Sequence, residues 1–196
     1  MKSFKVLALA VIFAATLALP ALAQQPEKFH LHLDPATTEV HYTLKDTLHT
    51  VKGTFHLTAG DIVFNSGSGD AHGQFTVDTG SGVSGNDTRD GKMKREYLEV
   101  PKFPVATFDA QKVTGYNPSA DNQTVTVAGT MMLHGGAHPL TLTFTVNRSG
   151  SAVTATTLFM IPYVEWGIKN PSIAFVKVEK EVTMDIVAKG TLTAEK

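Results

Sequence analysis

Apolar residues recur at every second position along most of this chain, and a period of two is the spacing of side chains on one face of a β-strand. Val51, Gly53, Phe55 and Leu57 share one side, while Lys52, Thr54, His56 and Thr58 share the other. The pattern returns at Val125, Val127, Gly129, Met131 and Leu133 against Thr124, Thr126 and Thr130. It returns again at Leu140, Leu142, Phe144 and Val146 against Thr141, Thr143 and Thr145. Further runs lie at 36–44, 61–64, 73–78, 104–113, 152–161 and 173–191. Turn formers separate them: Asp34-Pro35, Ala59-Gly60-Asp61, Asn65-Ser66-Gly67-Ser68-Gly69, Asn117-Pro118, His134-Gly135-Gly136 and Ser149-Gly150. About eight to ten short strands on short connections predict an all-β domain, an antiparallel sandwich or barrel. Only 86–99 is highly charged and lacks alternation, which predicts a short helix or ordered loop between strands.

The N-terminus reads differently. Lys2 and Lys5 precede an apolar run from Val6 to about Leu19, and Ala21-Leu22-Ala23 supplies the small-residue site of a cleaved secretory leader. The run is shorter than the ~20 residues of a membrane span, and Pro20 interrupts it. The expectation is a leader at 1–23, a single domain at 24–196, and a periplasmic protein beginning near Gln24. Its removal takes two lysines and no acids from 17 basic and 18 acidic residues, so the mature chain has net charge −3. That field does not point to nucleic acid or to an anionic surface as the partner of the whole molecule.

The chain has no cysteine, which excludes disulfides, thiol nucleophiles and thiolate metal sites. Gly85 to Lys92 misses the spacing of a phosphate-binding loop, with Met93 where a hydroxyl is needed. Asn86 to Tyr97 ends on an aromatic ring where a calcium loop requires a bidentate Glu. Neither a Gly-x-Ser-x-Gly elbow nor a His-Glu-x-x-His helix occurs. Eight histidines are the unusual count, and His30 and His32 would project from one strand face at a spacing able to chelate a metal. No third ligand can be named from the sequence, so no metal site is assigned. His41, His49, His56, His72, His134 and His138 are scattered.

Several segments, taken in order, carry a resemblance. They are Val51-Lys-Gly-Thr-Phe55, Gly60-Asp-Ile-Val-Phe64, Arg89-Asp90 before Tyr97-Leu98, Pro104-Val-Ala-Thr-Phe108, and Val127-Ala-Gly-Thr-Met131-Met-Leu-His134-Gly135. With the leader, and over roughly residues 28 to 190, the chain resembles the YceI-like polyisoprenoid-binding periplasmic proteins. The resemblance implies an eight-stranded, lipocalin-like antiparallel barrel around a long isoprenoid or isoprenoid-quinone lipid, acting as a carrier or store rather than an enzyme, with no catalytic cofactor. His49, Arg89, Asp90 and His134 match the family's recurrent polar positions.

An eight-stranded barrel is just wide enough to be filled by its own side chains or to hold one slim ligand. The expected wall is Phe55, Phe64, Phe75, Phe108, Gly129, Met131, Leu142, Phe144 and Phe159. The expected head-group side is His49, Arg89, Asp90, Lys92 and His134, with Lys94 nearby. Gly129, inward by alternation, is expected to leave room for the lipid chain. A membrane protein that donates or accepts the lipid, and a homodimer, stay open as partners. A histidine metal site, catalytic or not, and a surface interaction module with a filled barrel are the competing readings.

Overall fold

Threonine and charged residues on alternate positions leave one wettable and one apolar face per strand, and curling the sheet buries the apolar faces against one another. The computed structural model describes residues 27–195, and there the chain does this with nine antiparallel segments. They are β1 (Lys28–Leu33), β2 (Glu39–Lys45), β3 (Thr50–Asn65), β4 (Ala71–Val83), β5 (Val105–Thr114), β6 (Asn122–Leu133), β7 (Gly136–Ser149), β8 (Ala152–Ile161) and β9 (Val182–Glu195). Consecutive strands from β3 to β9 pair in order, and β1 and β2, each paired with both β3 and β9, close the ring. The leader read at 1–23 lies outside the described residues.

Nine segments make eight staves because β1 and β2 share one position. β1 pairs with residues 61–65 of β3 and 190–195 of β9, while β2 pairs with residues 50–55 of β3 and 183–187 of β9. Between them the Asp34-Pro35 turn breaks the stave, and Asp34 accepts from the Ala36 amide and the Thr37 hydroxyl. The β9 backbone left opposite the gap is still satisfied. Asp34 N–H donates to the Lys189 carbonyl at 2.8 Å, and the buried Thr38 hydroxyl bonds both the Lys189 carbonyl and its amide.

Two predicted features are corrected. The expected turn at Ala59-Gly60-Asp61 is a register shift inside β3, between Leu57 and Ala59. The extra residue moves the inward set from odd positions (Leu57) to even ones (Ile62, Phe64) without ending the strand. The run 173–191 is a strand only from Val182; residues 162–181 form a long connection. β3 has another shift between Thr54 and His56, and one between Ala110 and Lys112 of β5 moves the inward set from Ala106, Phe108 and Ala110 to Val113.

The charged segment 86–99 folds as predicted, into helix α1 (Asp87–Lys92) running on as a π-helical turn at Met93–Tyr97. Asn86 caps it by accepting from the Arg89 amide at 3.0 Å. Asp87 in the first turn and Lys92 in the last suit the helix dipole.

Candidate functional site

The barrel interior is not filled by its own side chains. No described side chain is less than 2% exposed, and inward residues such as Leu142 and Phe108 keep 4% and 6% because they face a space rather than a neighbour. That space is a cavity of about 790 Å³ running inside the barrel and lined almost wholly by apolar groups. It falls in the range of roughly 300–1,000 Å³ common to small-molecule sites.

One end is shut by aromatic rings. Phe29 stacks on Phe64 at 5.6 Å, and Tyr116 meets both edge-on at 5.0 Å. Arg148 holds the loop below, donating to the Pro118 carbonyl. At the other end lie the β2–β3 hairpin, α1 and the 162–181 connection, and here the lining turns polar: Lys45, Asp46, Asn86, Thr88, Arg89, Lys92 and Lys169. Four of these are cations and one is an acid. Two buried apolar clusters, one around Phe29, Phe64 and Phe144 and one around Tyr42, Tyr163 and Met184, meet at Leu31, Phe75, Met131, Ala155 and Phe159, which pack against both and form the waist between the two ends.

Eight of the nine expected wall residues line the cavity: Phe55, Phe64, Phe75, Phe108, Met131, Leu142, Phe144 and Phe159. Gly129 does not, which corrects the reading that it leaves room for a chain. It stands opposite the β5 register shift, and a Cβ there would lie 2.2 Å from the Asp109 carbonyl and 2.8 Å from the Phe108 ring. The close approach is that of the bulged neighbouring strand.

The expected polar residues separate. Arg89 and Lys92 line the mouth. Arg89 donates through Nε to the Ser84 hydroxyl at 2.8 Å and through Nη2 to the Ser84 carbonyl at 3.0 Å, so its guanidinium is held in place. Asp90 does not line the cavity; it is buried behind the helix and accepts from the Ser84 amide at 2.9 Å and from the Ser84 hydroxyl. Lys94 is not among the lining residues either. His49 sits on the β2–β3 hairpin with its side chain 75% exposed, beside Asp46. His134 is at the β6–β7 turn with φ of 51°, against the Phe103 ring, its Nε2 3.1 Å from Glu99 but outside hydrogen-bonding alignment. Neither histidine reaches the cavity. Lys45, Lys169 and the inward phenol of Tyr42 were missed, because alternation does not show which loops meet at one end of a barrel.

Burial pushes up the pKa of Tyr42 and of Tyr163, the latter to about 12, so both stay neutral hydrogen-bonding groups. Burial also acts to raise the Asp90 carboxyl, but the hydrogen bonds from Ser84, with Arg89 and Lys94 nearby, hold it below the usual carboxylate range. A depressed folded-state pKa contributes stability that is present above the unfolded value of about 4 and lost as pH falls through the folded one. Asp90→Asn is therefore expected to cost about 1–3 kcal/mol at neutral pH by mispairing with Ser84, and to remove part of the acid sensitivity of unfolding. Thermal melts from pH 7 to pH 3 check this; equal losses in wild type and variant across that range count against it.

His30 Nε2 and His32 Nδ1 both meet Asp61 Oδ1, at 3.0 and 2.8 Å, on the outer face. Among the described residues no group of three His, Cys, Asp or Glu is disposed to hold a metal ion.

Comparison with known proteins gives one family and several solved structures of similar fold. The model of the YceI-like domain matches residues 31–189. A search of curated proteins returns no match. Among solved structures, BcnA of Burkholderia cenocepacia is similar at 18% identity with a TM-score of 0.65, covering 80% of this chain and 98% of that one. A polyisoprenoid binding domain from Saccharophagus degradans, implicated in plant cell wall breakdown, is similar at 18% identity and a TM-score of 0.60, covering 83% and 98%. The YceI protein of Campylobacter jejuni is similar at 17% identity and 0.58, covering 76% and 88%.

Proposed function

The chain belongs to the YceI-like domain family, and from that premise we propose that it binds a polyisoprenoid or isoprenoid-quinone lipid inside the barrel, as a carrier or store and not as an enzyme. The unfilled apolar cavity, shut at one end and cationic at the other, is the observation that carries this. Each CH₂ taken from water contributes about 0.8 kcal/mol, so affinity comes from the chain, and the mouth fixes direction. The tail runs down to the Phe29, Phe64 and Tyr116 floor, and a polar or anionic head stays by Lys45, Arg89, Lys92 and Lys169. A relative with the same fold is described as a polyisoprenoid binding domain, which supports the ligand class.

We place the carrier in the periplasm, with residues 1–23 removed. The test for both is one preparation: intact mass of the exported protein, then organic extraction and mass spectrometry. The expected result is a chain starting at Gln24 with bound lipid whose masses differ by whole isoprene units. Straight-chain fatty acids alone, or no lipid, overturn the ligand assignment. A chain retaining residues 1–23 overturns the location.

A further inference from the structure

Large apolar side chains are exposed at the same end of the barrel as the cavity mouth. Phe175 is 91% exposed, and Ile173 and Leu48 are each 65% exposed. Phe175 and Ile173 stand on the tip of the 162–181 connection, Leu48 on the β2–β3 hairpin, and the two loops are joined. Thr47 N–H donates to the Lys177 carbonyl at 3.0 Å, and Asp46 bridges to Val178.

The base of the long connection is held firmly, so its tip is presented and not merely loose. Trp166 lies flat on His138 of β7, rings 4.0 Å apart and 3° from parallel. Tyr163 donates its hydroxyl to the Glu179 carbonyl at 2.7 Å, and Asn170 donates to the Val178 carbonyl at 3.1 Å. Single exposed apolar residues need no explanation, but three on two bridged loops at a cavity rim form a patch.

Charge says what covers it. Without residues 1–23 the protein is acidic overall, at net −3, yet the mouth carries Lys45, Arg89, Lys92 and Lys169. Asp46 is the sole acid among the lining residues, and its carboxylate is engaged by the amides of Leu48 and His49, which hold it below its usual range. Lys177 adds a fifth cation beside the tip, against the exposed acids Asp87 of α1 and Glu179 of the connection. Apolar tips beside an excess of cations match an interface of acyl chains beneath anionic head groups.

We propose that this rim docks on the surface of a lipid bilayer containing anionic lipids, with Phe175, Ile173 and Leu48 entering the head-group boundary and the cavity mouth facing the bilayer. The inference rests on the lipid-binding reading for its purpose, since a chain can then pass between bilayer and barrel without crossing water. The geometry of the patch stands apart from that reading.

The experiment is flotation of the exported protein, beginning at Gln24, with phosphatidylcholine vesicles, with and without phosphatidylglycerol. The probes are Leu48→Ser with Phe175→Ser, neither of which lines the cavity, and separately Lys177→Glu. Wild type is expected to float with the anionic vesicles and to be released by salt, as its cations are screened. The double variant is expected to lose at least about tenfold in partitioning, because two apolar side chains no longer leave water. Its melting temperature and extracted lipid should match wild type. Lys177→Glu is expected to weaken binding to the anionic vesicles alone.

Equal flotation of wild type and the double variant overturns the proposal, as does a wild type that ignores both vesicles. A wild-type dimer that the double variant converts to a monomer assigns the patch to a second copy instead. An Ala155→Phe chain, blocked at the barrel waist, separates the two readings: it floats if docking holds, whatever its lipid content. Protein that floats but yields no isoprenoid sinks the cavity reading alone, and protein that yields isoprenoid but does not float sinks docking alone.

Discussion

Ala155→Phe is expected to remove bound lipid, by at least about tenfold in the organic extract, while the barrel stays folded. Ala155 faces inward from β8, paired with Val146 and Ala188, and touches both apolar clusters at the waist of the cavity. In a packed core such an enlargement costs about 1–3 kcal/mol through forced rotamers and backbone shifts. Here the ring has empty space to enter. It buries its own apolar surface there at about 25 cal/mol per Å² and, unlike an indole, brings no N–H that needs a partner. The melting temperature of lipid-free protein should therefore hold or rise. Extraction and circular dichroism on one sample measure both quantities, and a folded variant with its full lipid complement would place the ligand outside the channel. Ala155→Val, which narrows the waist without closing it, should fall between.

Gly129→Leu is expected to have the opposite signature, loss of stability with no selective loss of lipid. A Cβ at this position meets the Asp109 carbonyl at 2.2 Å, closer than real Cβ contacts come, so the β5 backbone must move. The register shift of β5 depends on that close approach, and with it the inward placement of Val113. The expected cost is at least about 1–3 kcal/mol, a fall of roughly 2–4 °C in melting temperature per kcal/mol in a domain of this size. It should be the same with and without lipid. Melts of extracted and lipid-loaded protein test this: a Gly129→Leu chain as stable as wild type, but empty, would return Gly129 to the channel wall.

Strand identity and inward faces within each run were legible in the sequence because side-chain alternation is a local property of the extended backbone. That is why eight of nine wall residues read from alternation, from Phe55 to Phe159, do line the cavity. That 86–99 is a short helix or ordered loop and not a strand was legible for the same kind of reason, a charged run without alternation. What alternation could not show is a change of parity within a strand. At Leu57 and Ala59 of β3, and at Ala110 and Lys112 of β5, the extra residue is defined only by the strand beside it. The first was read as a turn and the second not seen.

The mouth shows the same limit. Lys45, Arg89 and Lys169 come from the β2–β3 hairpin, the helix and the long connection, and only the closure of the ring sets them around one opening. His134 and Asp90 matched a family pattern, yet one lies at a turn away from the cavity and the other is buried against Ser84. Sequence by itself determined an all-β chain with an apolar inner face and no thiol chemistry, since these depend on residue type and spacing. Tertiary structure alone decided that the inner face surrounds an open space, that one end is floored by Phe29, Phe64 and Tyr116, and that cations and exposed Phe175 gather at the other. Those properties depend on strand register and on residues brought together from 35 positions apart (Phe29 and Phe64) to 130 (Thr47 and Lys177), distances over which local patterns carry no information.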